Sequence, residues 1–208
     1  MLLAIDTSAG TSVAVVDRER GILAERSSAD PRGHAEIIGT FIDECLRVSG
    51  IDRTDLSGVV AGMGPGPFTG LRVGIAAART FALGLGRPVV PVASHDAIAF
   101  GADRDGPLVV VTDARRRELF WSAYSGRDAV GLPVRSAGPA LTAAAELASL
   151  VAAHPGAHLL DGGQVSAGAL GMLAETLFAA GRPFAADEAL YLRSPDVTLS
   201  AGPKRVTS

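Results

Sequence analysis

Residues 2–26 read LLAIDTSAGTSVAVVDRERGILAER and contain three apolar runs separated by two segments of turn-forming residues. Leu2–Ile5 and Val13–Val16 flank a first turn that begins with Asp6, and Gly21–Arg26 follows a second turn. Short apolar runs bounded by Asp, Ser, Thr and Gly are typical of β-hairpins. The chain is therefore predicted to begin with three antiparallel strands.

Strands and helices alternate through the rest of the first half. His34 to Val48 has apolar residues at helical spacing and is closed by Ser49-Gly50, and Thr69 to Leu85 is a second helix that stops at Gly86. Apolar strands are predicted at 56–61 and 89–92, and a short helix at 95–100. This alternation indicates an α/β protein with a mainly parallel sheet and an antiparallel edge.

The second half repeats this pattern in shortened form. It has a strand pair at 108–112 and 119–124, a helix at 140–153, a strand at 159–160 that runs into glycines, and a helix at 167–180. We expect this half to lack the third strand and the glycine-proline loop of the first half. The predicted division is an N-terminal lobe at 1–104, a reduced C-terminal lobe at 105–194 and a flexible tail at 195–208.

Composition narrows the class of protein. The chain has 208 residues, is 48% hydrophobic and carries a net charge of -3, so it can bury a core and lacks the excess of positive charge that stand-alone nucleic-acid binders show. Cys45 is the single cysteine, which fits a reducing compartment. The N-terminus has no signal-peptide pattern and no apolar run is long enough to span a membrane. We expect a cytoplasmic protein with no membrane association.

Residues 62–74, GMGPGPFTGLRVG, lie between a predicted strand and a predicted helix, where α/β proteins present loops to ligands. Glycines at a helix N-terminus can bring N–H groups close to a phosphate. However, Pro65 and Pro67 have no N–H, and the segment matches neither a P-loop nor a dinucleotide fingerprint. Two interpretations stay open: a phosphate or partner loop, and a rigid connector that fixes the geometry between strand and helix.

Five blocks together resemble the TsaB family, the bacterial tRNA threonylcarbamoyladenosine biosynthesis proteins also called YeaZ. They are IDTS at 5–8, HAEIIGTFIDECL at 34–46, GPGPFTGLRVG at 64–74, DARRRELFWSAY at 113–124 and ALYLR at 189–193. The blocks occur in the family's order and cover nearly the whole chain. Pro67 departs from the serine that is commoner in the family, which puts a hydroxyl or amide contact at that position in doubt.

The resemblance implies a fold and a role. The fold is the actin-like ATPase (ASKHA) fold, with two RNase H-like lobes. The role is that of a non-catalytic scaffold subunit, which supports the catalytic subunit TsaD together with the ATPase TsaE. Their complex transfers a threonylcarbamoyl group to the adenosine next to the anticodon of tRNAs that read ANN codons. Contact with tRNA would come through the complex, and the chain could homodimerise when it is alone.

The two helices of the first half are predicted to form the partner-binding surface. The first is apolar over two adjoining rows, which is wider than one buried face needs, and the second has small residues that permit close helix contact. The alternative is that both helices simply pack on the sheet. The predicted partner-binding residues are His34, Ile37, Ile38, Phe41, Ile42, Cys45, Phe68, Leu71, Arg72 and Ile75.

The same resemblance leads to predictions about metal and nucleotide binding. The catalytic relatives carry two histidines four residues apart on the first helix, but here His34 is followed by Ile38, and one ligand does not hold a catalytic metal. We therefore predict no metal site and no cofactor of the chain's own, with ATP or ADP and Mg²⁺ at the junction of the complex. Candidate nucleotide or junction contacts are Asp6, Thr7, Gly64, Gly66, Thr69, Gly70 and Asp113.

Asp6 and Asp113 end matching strands of the two halves and could flank a cleft as a pair of Mg²⁺ ligands. In the simpler alternative, Asp6 accepts hydrogen bonds from its own turn at Thr7 and Ser8. Arg115 and Arg116 are candidate contacts to tRNA or to an acidic partner surface.

The alternative function is an independent metal- or ATP-dependent enzyme of the same fold. An older name of the wider family, glycoprotease, suggests peptidase activity. The sequence offers no nucleophile–base pair to support that activity, and no catalytic residue is assigned.

Overall fold

The computed structural model describes residues 1–30 and 33–193, so the predicted tail at 195–208 lies outside the described residues. The first sheet contains β1 (Leu2–Asp6), β2 (Thr11–Asp17), β3 (Gly21–Ser28), β4 (Gly58–Gly62) and β5 (Val89–Val92), in the order β3-β2-β1-β4-β5. β1, β2 and β3 are antiparallel to their neighbours, whereas β4 and β5 run parallel to β1. The three antiparallel strands predicted at the start of the chain are confirmed.

Two long helices cover one face of this sheet. α1 (His34–Ser49) ends at Gly50 and α2 (Phe68–Leu85) ends at Gly86, and both glycines adopt the left-handed conformation that terminates a helix. The residues of α2 that face the sheet are small or aliphatic and recur every three to four positions. They are Gly70, Leu71, Gly74, Ile75, Ala78 and Ala82. A short 3-10 helix (Arg53–Asp55) connects α1 to β4.

The second sheet contains β6 (Leu108–Asp113), β7 (Glu118–Arg127), β8 (Pro133–Ala143) and β9 (His158–Asp161), in the order β8-β7-β6-β9. This order repeats the first four strands of the first sheet, with β9 parallel to β6 as β4 is to β1. The predicted duplication is therefore present. In the described part of the chain, the strand that the second sheet lacks is the counterpart of β5.

The prediction that the second half lacks a third strand was wrong. β8 occupies that place, and it includes Ala140 to Ala143, which had been assigned to an alanine-rich helix. Ala140 pairs with Trp121 and Ala143 pairs with Glu118 across β7. Strand pairing outweighs the helix propensity of alanine here, and the helical part is confined to a 3-10 turn (Ala144–Glu146) followed by α4 (Leu147–Ala152).

The remaining helices join the two sheets. α3 (Ser94–Gly101) contacts the second sheet, and α5 (Ala167–Ala179) packs on the face of the first sheet opposite α1 and α2. Side chains of β1 alternate between these two faces, so Leu3 and Ile5 enter the core under α1 and α2 while Leu2 and Ala4 enter the core under α5. No helix of the described residues has the length and apolar character that crossing a membrane requires.

Candidate functional site

A cleft of about 510 Å³ opens between the two sheets, at the ends where β1, β6 and β9 finish. The walls combine hydroxyl groups, two carboxylates, one imidazole and one guanidinium. The lining residues are Thr7, Ser8, Ala9, Gly10, Ala29, His34, Pro67, Thr69, Gly70, Asp113, Arg115, Asp161 and Gly163. Polar groups that converge from several elements make this cleft the strongest candidate for a ligand site.

Asp6 lies behind the cleft wall instead of lining it. Its side chain is buried; Oδ1 accepts hydrogen bonds from the Ser8 N–H (2.8 Å) and hydroxyl (2.6 Å), and Oδ2 accepts one from the Ser94 hydroxyl (2.5 Å). Burial raises the pKa of Asp6, and the bonds from Ser8 and Ser94 oppose that rise. The prediction that Asp6 bonds its own turn is thus confirmed for Ser8.

The Thr7 hydroxyl bonds to α2 and not to its own turn. It donates to the carbonyl of Gly70 (2.6 Å) and accepts from the N–H of Gly74 (3.0 Å). A side chain at either glycine would overlap Thr7, so both positions require the absence of a Cβ atom. The end of β1 is therefore held directly against the first turns of α2, next to the cleft.

The glycine-proline loop is a buried connector between β4 and α2. Gly64, Pro65 and Gly66 are all buried, and a Cβ at Gly66 would collide with the backbone of Ser8. The N–H of Gly64 donates to the Ser94 hydroxyl (3.0 Å) and its carbonyl accepts from the Ser94 N–H (2.8 Å). The predicted ligand contacts at Gly64 and Gly66 are corrected, because neither residue lines the cleft; Thr69 and Gly70 do.

His34 begins α1 and forms part of the cleft wall. Its Nδ1 lies 2.6 Å from the hydroxyl of Thr11, and partial burial lowers the pKa of the imidazole, with Arg115 acting in the same direction. One helical turn further on, the side chain of Ile38 enters the core of the first sheet. Among the described residues no three His, Cys, Asp or Glu side chains are grouped so that they could hold a metal ion.

The hairpin between β6 and β7 forms the opposite wall of the cleft. Asp113 is exposed; its carboxylate accepts a hydrogen bond from the N–H of Arg115 (2.8 Å) and pairs with the guanidinium of the same residue (3.2 Å). Arg115, Arg116 and Arg117 all have positive φ, at 65°, 53° and 63°. Three successive left-handed residues other than glycine are rare, because the left-handed conformation costs each about 1–2 kcal/mol.

The two predicted partner-binding helices contact each other on the surface of the first sheet. Ile38, Ile42, Cys45, Leu71 and Ile75 point into the chain's own core, so the prediction that these five contact a partner is corrected. The second apolar row of α1 is only partly covered. Of the predicted residues, Ile37, Phe41 and Phe68 are half-buried and Arg72 is exposed.

Sequence reasoning missed the outward row of α2. Ala76, Thr80 and Leu83 are exposed, and the side chain of Leu83 is 81% accessible. Their spacing continues the row of Thr69 and Arg72 at intervals of three and four, which is the signal that could have identified them.

Cys45 is fully buried, and its thiol donates to the carbonyl of Val13 (3.3 Å). Burial raises the pKa of Cys45 to about 11, so the thiol stays protonated. The side chain belongs to the core and takes no part in the cleft.

The two sheets of matching strand order, with a cleft between them, define the actin-like ATPase (ASKHA) class of fold. The TsaD family model, described as tRNA N6-adenosine threonylcarbamoyltransferase, matches residues 8–167. The chain is 34% identical over 134 residues to the tRNA threonylcarbamoyladenosine biosynthesis protein TsaB of Escherichia coli, an alignment that covers 63% of this chain and 57% of that protein. An uncharacterised protein of Mycobacterium tuberculosis is 42% identical over 148 residues, covering 70% of this chain and 66% of the relative.

Solved structures agree with these sequence matches. YeaZ of Pseudomonas aeruginosa superimposes with a TM-score of 0.70 at 26% identity, covering 86% of this chain and 92% of that chain. A crystal structure described as an uncharacterised protein with similarity to peptidase YeaZ, from the same organism, gives a TM-score of 0.76 at 25% identity and covers 92% and 99% of the two chains. The chain belongs to the TsaD family, in its TsaB (YeaZ) branch. It spans no more than about two thirds of the length of the curated relatives it matches.

Proposed function

We propose that this chain is a non-catalytic subunit in the biosynthesis of threonylcarbamoyladenosine in tRNA. In this role it binds a TsaD-type catalytic subunit, which transfers the threonylcarbamoyl group to the adenosine next to the anticodon of tRNAs that read ANN codons. A TsaE-type ATPase would complete the assembly, and tRNA would bind to the complex. The names of the relatives and the match to the TsaD family model support this role.

The observation that carries the proposal is the environment of His34. A catalytic zinc site uses three protein ligands. His34 is bonded to Thr11, the residue one turn further on is the core residue Ile38, and the described residues offer no cluster of three ligands. A subunit that binds and orients another protein needs no such cluster.

The cleft contains donors that suit a nucleotide phosphate and carboxylates that suit its Mg²⁺ ion. Thr69 provides a hydroxyl group and Arg115 a cation, whereas the hydroxyl protons of Thr7 and Ser8 are already donated to Gly70 and Asp6. Asp6 is buried behind the wall, so the expected pair of Asp6 and Asp113 is incomplete, and the carboxylates that line the cleft are Asp113 and Asp161. We propose that ATP or ADP, with its Mg²⁺, is held at the junction between this chain and the catalytic subunit, with further ligands from that subunit.

Docking would use the partly covered row of α1 and the exposed residues Ala76, Thr80 and Leu83 of α2. Ala76 is exposed in the middle of α2, where a long charged side chain blocks close helix packing without disturbing the chain's own core. The variant Ala76→Arg should fold like the wild type and lose at least tenfold in co-purification with the TsaD-type subunit. Ala148→Arg, at an exposed position of α4 on the second sheet, is the matched control and should bind normally.

Reconstitution supplies the functional test. Modification of tRNA by the TsaD-type and TsaE-type subunits should require this chain and should fall with Ala76→Arg but not with Ala148→Arg. Modification at the full rate without the chain would contradict the proposal. Turnover by the isolated chain would instead favour the alternative, an independent enzyme. Size-exclusion chromatography of the chain alone measures the predicted homodimer.

A further inference from the structure

A basic and aromatic surface forms where the C-terminal segment crosses from the first sheet to the second. We call it the arginine-tyrosine patch. It consists of Phe68 with Tyr191 and Arg72, which both contact its ring, and of Arg115 and Arg117 with Arg193, whose guanidinium bonds to Ala114 beside their turn. Four of its six members are arginines, in a chain whose net charge is -3. The patch lies beside the mouth of the cleft, because Arg115 also lines the cleft.

The aromatic half of the patch is the ring of Tyr191, which packs against Phe68 and is otherwise partly exposed. The rings of Tyr191 and Phe68 lie 4.8 Å apart between centroids, and the guanidinium of Arg72 lies 3.9 Å above the ring of Phe68. Tyr191 is 41% exposed. Its backbone is fixed close by, since the N–H of Leu190 donates to the carbonyl of Met63 (2.8 Å). An exposed ring held in place in this way can stack on a planar ligand at little cost in entropy.

Arg193 connects the arginines of the turn at 115–117 with the aromatic half of the patch. Its guanidinium donates to the carbonyl of Ala114 (3.0 Å) and lies 3.5 Å from the carboxylate of Glu118. Arg193 follows Tyr191 by two residues, a span of at most about 7 Å of extended chain. The ring of Tyr191 and the turn at 115–117 therefore lie close enough for one short ligand to touch both.

The turn at 115–117 presents arginine side chains at a cost in backbone energy. Glycine would adopt the left-handed conformation freely, yet all three positions are arginine. The backbone is held by bonds from the Glu118 N–H to the carbonyl of Arg115 (3.0 Å) and from the Ala144 N–H to the carbonyl of Arg117 (2.8 Å). Among the described residues neither Arg72 nor Arg117 forms an ion pair. Their charges are thus available to a ligand.

We propose that the arginine-tyrosine patch binds unpaired nucleotides of RNA, with a base stacked on Tyr191 and phosphates held by Arg117 and Arg72. Aromatic rings interleaved with arginines are what single-stranded nucleic acid requires, because every base has a face that stacks and every linkage carries a negative charge. The inference rests on the proposed role in tRNA modification, to which it adds a direct contact between this chain and the substrate.

Binding of a fluorescein-labelled RNA hairpin with an unpaired loop, followed by fluorescence anisotropy at low salt, tests the proposal on the full chain. Tyr191→Ala should weaken binding by at least about fivefold, and Tyr191→Trp should restore it. Tyr191→Ala should leave the salt dependence unchanged. Arg117→Gly keeps the turn's backbone and should reduce the slope of log K against log salt by about 0.7, the value for one lost phosphate contact on a single strand. The paired stem alone should bind more weakly than the hairpin.

Two exposed residues far from the patch serve as matched controls. Phe178 at the end of α5 is 73% exposed, and Arg18 is exposed in the turn between β2 and β3. Phe178→Ala and Arg18→Ala should bind the hairpin like the wild type. Absence of binding at low salt, or equal affinities for all variants, would overturn the proposal.

A separate outcome would assign the patch to a protein partner. In that case Tyr191→Ala and Arg117→Gly would lose co-purification with the TsaD-type subunit while RNA affinity stayed the same, and the RNA proposal would fail. The accessory role is judged independently, by Ala76→Arg and by reconstitution without the chain. Failure of the RNA contact therefore does not resemble failure of the proposed function.

Discussion

The two sheets place the same residue type at the same topological position with opposite results. Asp6 ends the first strand of the first sheet and Asp113 ends the first strand of the second. Asp6 is buried and bonded to Ser8 and Ser94, whereas Asp113 is exposed and bonded to its own turn. An equivalent position in a duplicated fold does not ensure an equivalent role, because the role depends on what packs against it. Here α3 supplies Ser94 to Asp6.

The largest expected effect comes from truncating the buried member of this pair. Asp6→Ala leaves the N–H and hydroxyl of Ser8 and the hydroxyl of Ser94 without their acceptor, which should lower the free energy of unfolding by about 3 kcal/mol. Asp113→Ala removes only an exposed ion pair and should cost less than about 1 kcal/mol. Urea unfolding followed by circular dichroism measures both. Equal losses would show that the two carboxylates have similar structural roles.

A smaller effect is expected from the glycine that ends the fourth strand. A methyl group at Gly62 would overlap the carboxylate of Asp6, so Gly62→Ala should destabilise the chain by about 1–3 kcal/mol. Gly163 follows the corresponding strand of the second sheet, and a methyl group there would meet no atom closer than 4.0 Å. Gly163→Ala should be neutral within about 0.5 kcal/mol. Thermal unfolding of the two variants checks the contrast.

The pH dependence of stability should distinguish Asp6 from a freely ionised carboxylate. Because burial raises the pKa of Asp6 in the folded state, the folded protein binds a proton more readily than the unfolded chain does. The stabilisation by that proton is complete below the unfolded pKa of 3.8 and is lost as the pH rises through the folded pKa. Relative to Asp6→Asn, the wild type should thus gain stability as the pH falls from 7 towards 4. A constant difference across this range would contradict the shift.

The smallest expected effects are changes of opposite sign in the free energy of unfolding, one in the turn between β1 and β2 and one in the turn between β6 and β7. Gly10 has a φ of 82°, and a Cβ there would overlap the carbonyl of Ser28, so Gly10→Ala should cost about 1–2 kcal/mol. Arg117 is also left-handed, with a φ of 63°, and Arg117→Gly should cost nothing and gain up to about 1 kcal/mol. Denaturant midpoints measured side by side give the comparison. A clear loss of stability in Arg117→Gly would mean that the arginine side chain has a structural role.

Much of the first sheet could be predicted because its signals are local. The hairpin residues of β1 and β2 and the helical spacing in α1 and α2 lie within short windows of sequence. β8 was misassigned because Ala140–Ala143 favour a helix, and only pairing with β7 decides otherwise. That pairing is a contact between distant parts of the chain, which a local window does not contain.

The site was predicted less completely than the fold, because it too depends on contacts between distant parts of the chain. Thr69, Gly70 and Asp113 line the cleft as expected, but the burial of Asp6 depends on Ser94 and the burial of Gly66 depends on Ser8. Tyr191 was identified only as part of a family block, since its contact with Phe68 joins residues that are far apart in the sequence. The left-handed turn at 115–117 carries no glycine or asparagine, the residues that would have signalled it.

Because the thiol of Cys45 is buried, the chain is suited to site-directed labelling for spectroscopy. With no exposed surface and a pKa of about 11, this single cysteine should not react with maleimides or iodoacetamide while the first sheet and α1 remain packed. A second cysteine placed on the outer row of α2 could then carry a fluorophore alone, without a cysteine-free background. The rate at which Cys45 of the native protein is alkylated would in turn report the rate of local unfolding in the first lobe. The reagent reaches the sulfur only after α1 separates from the sheet.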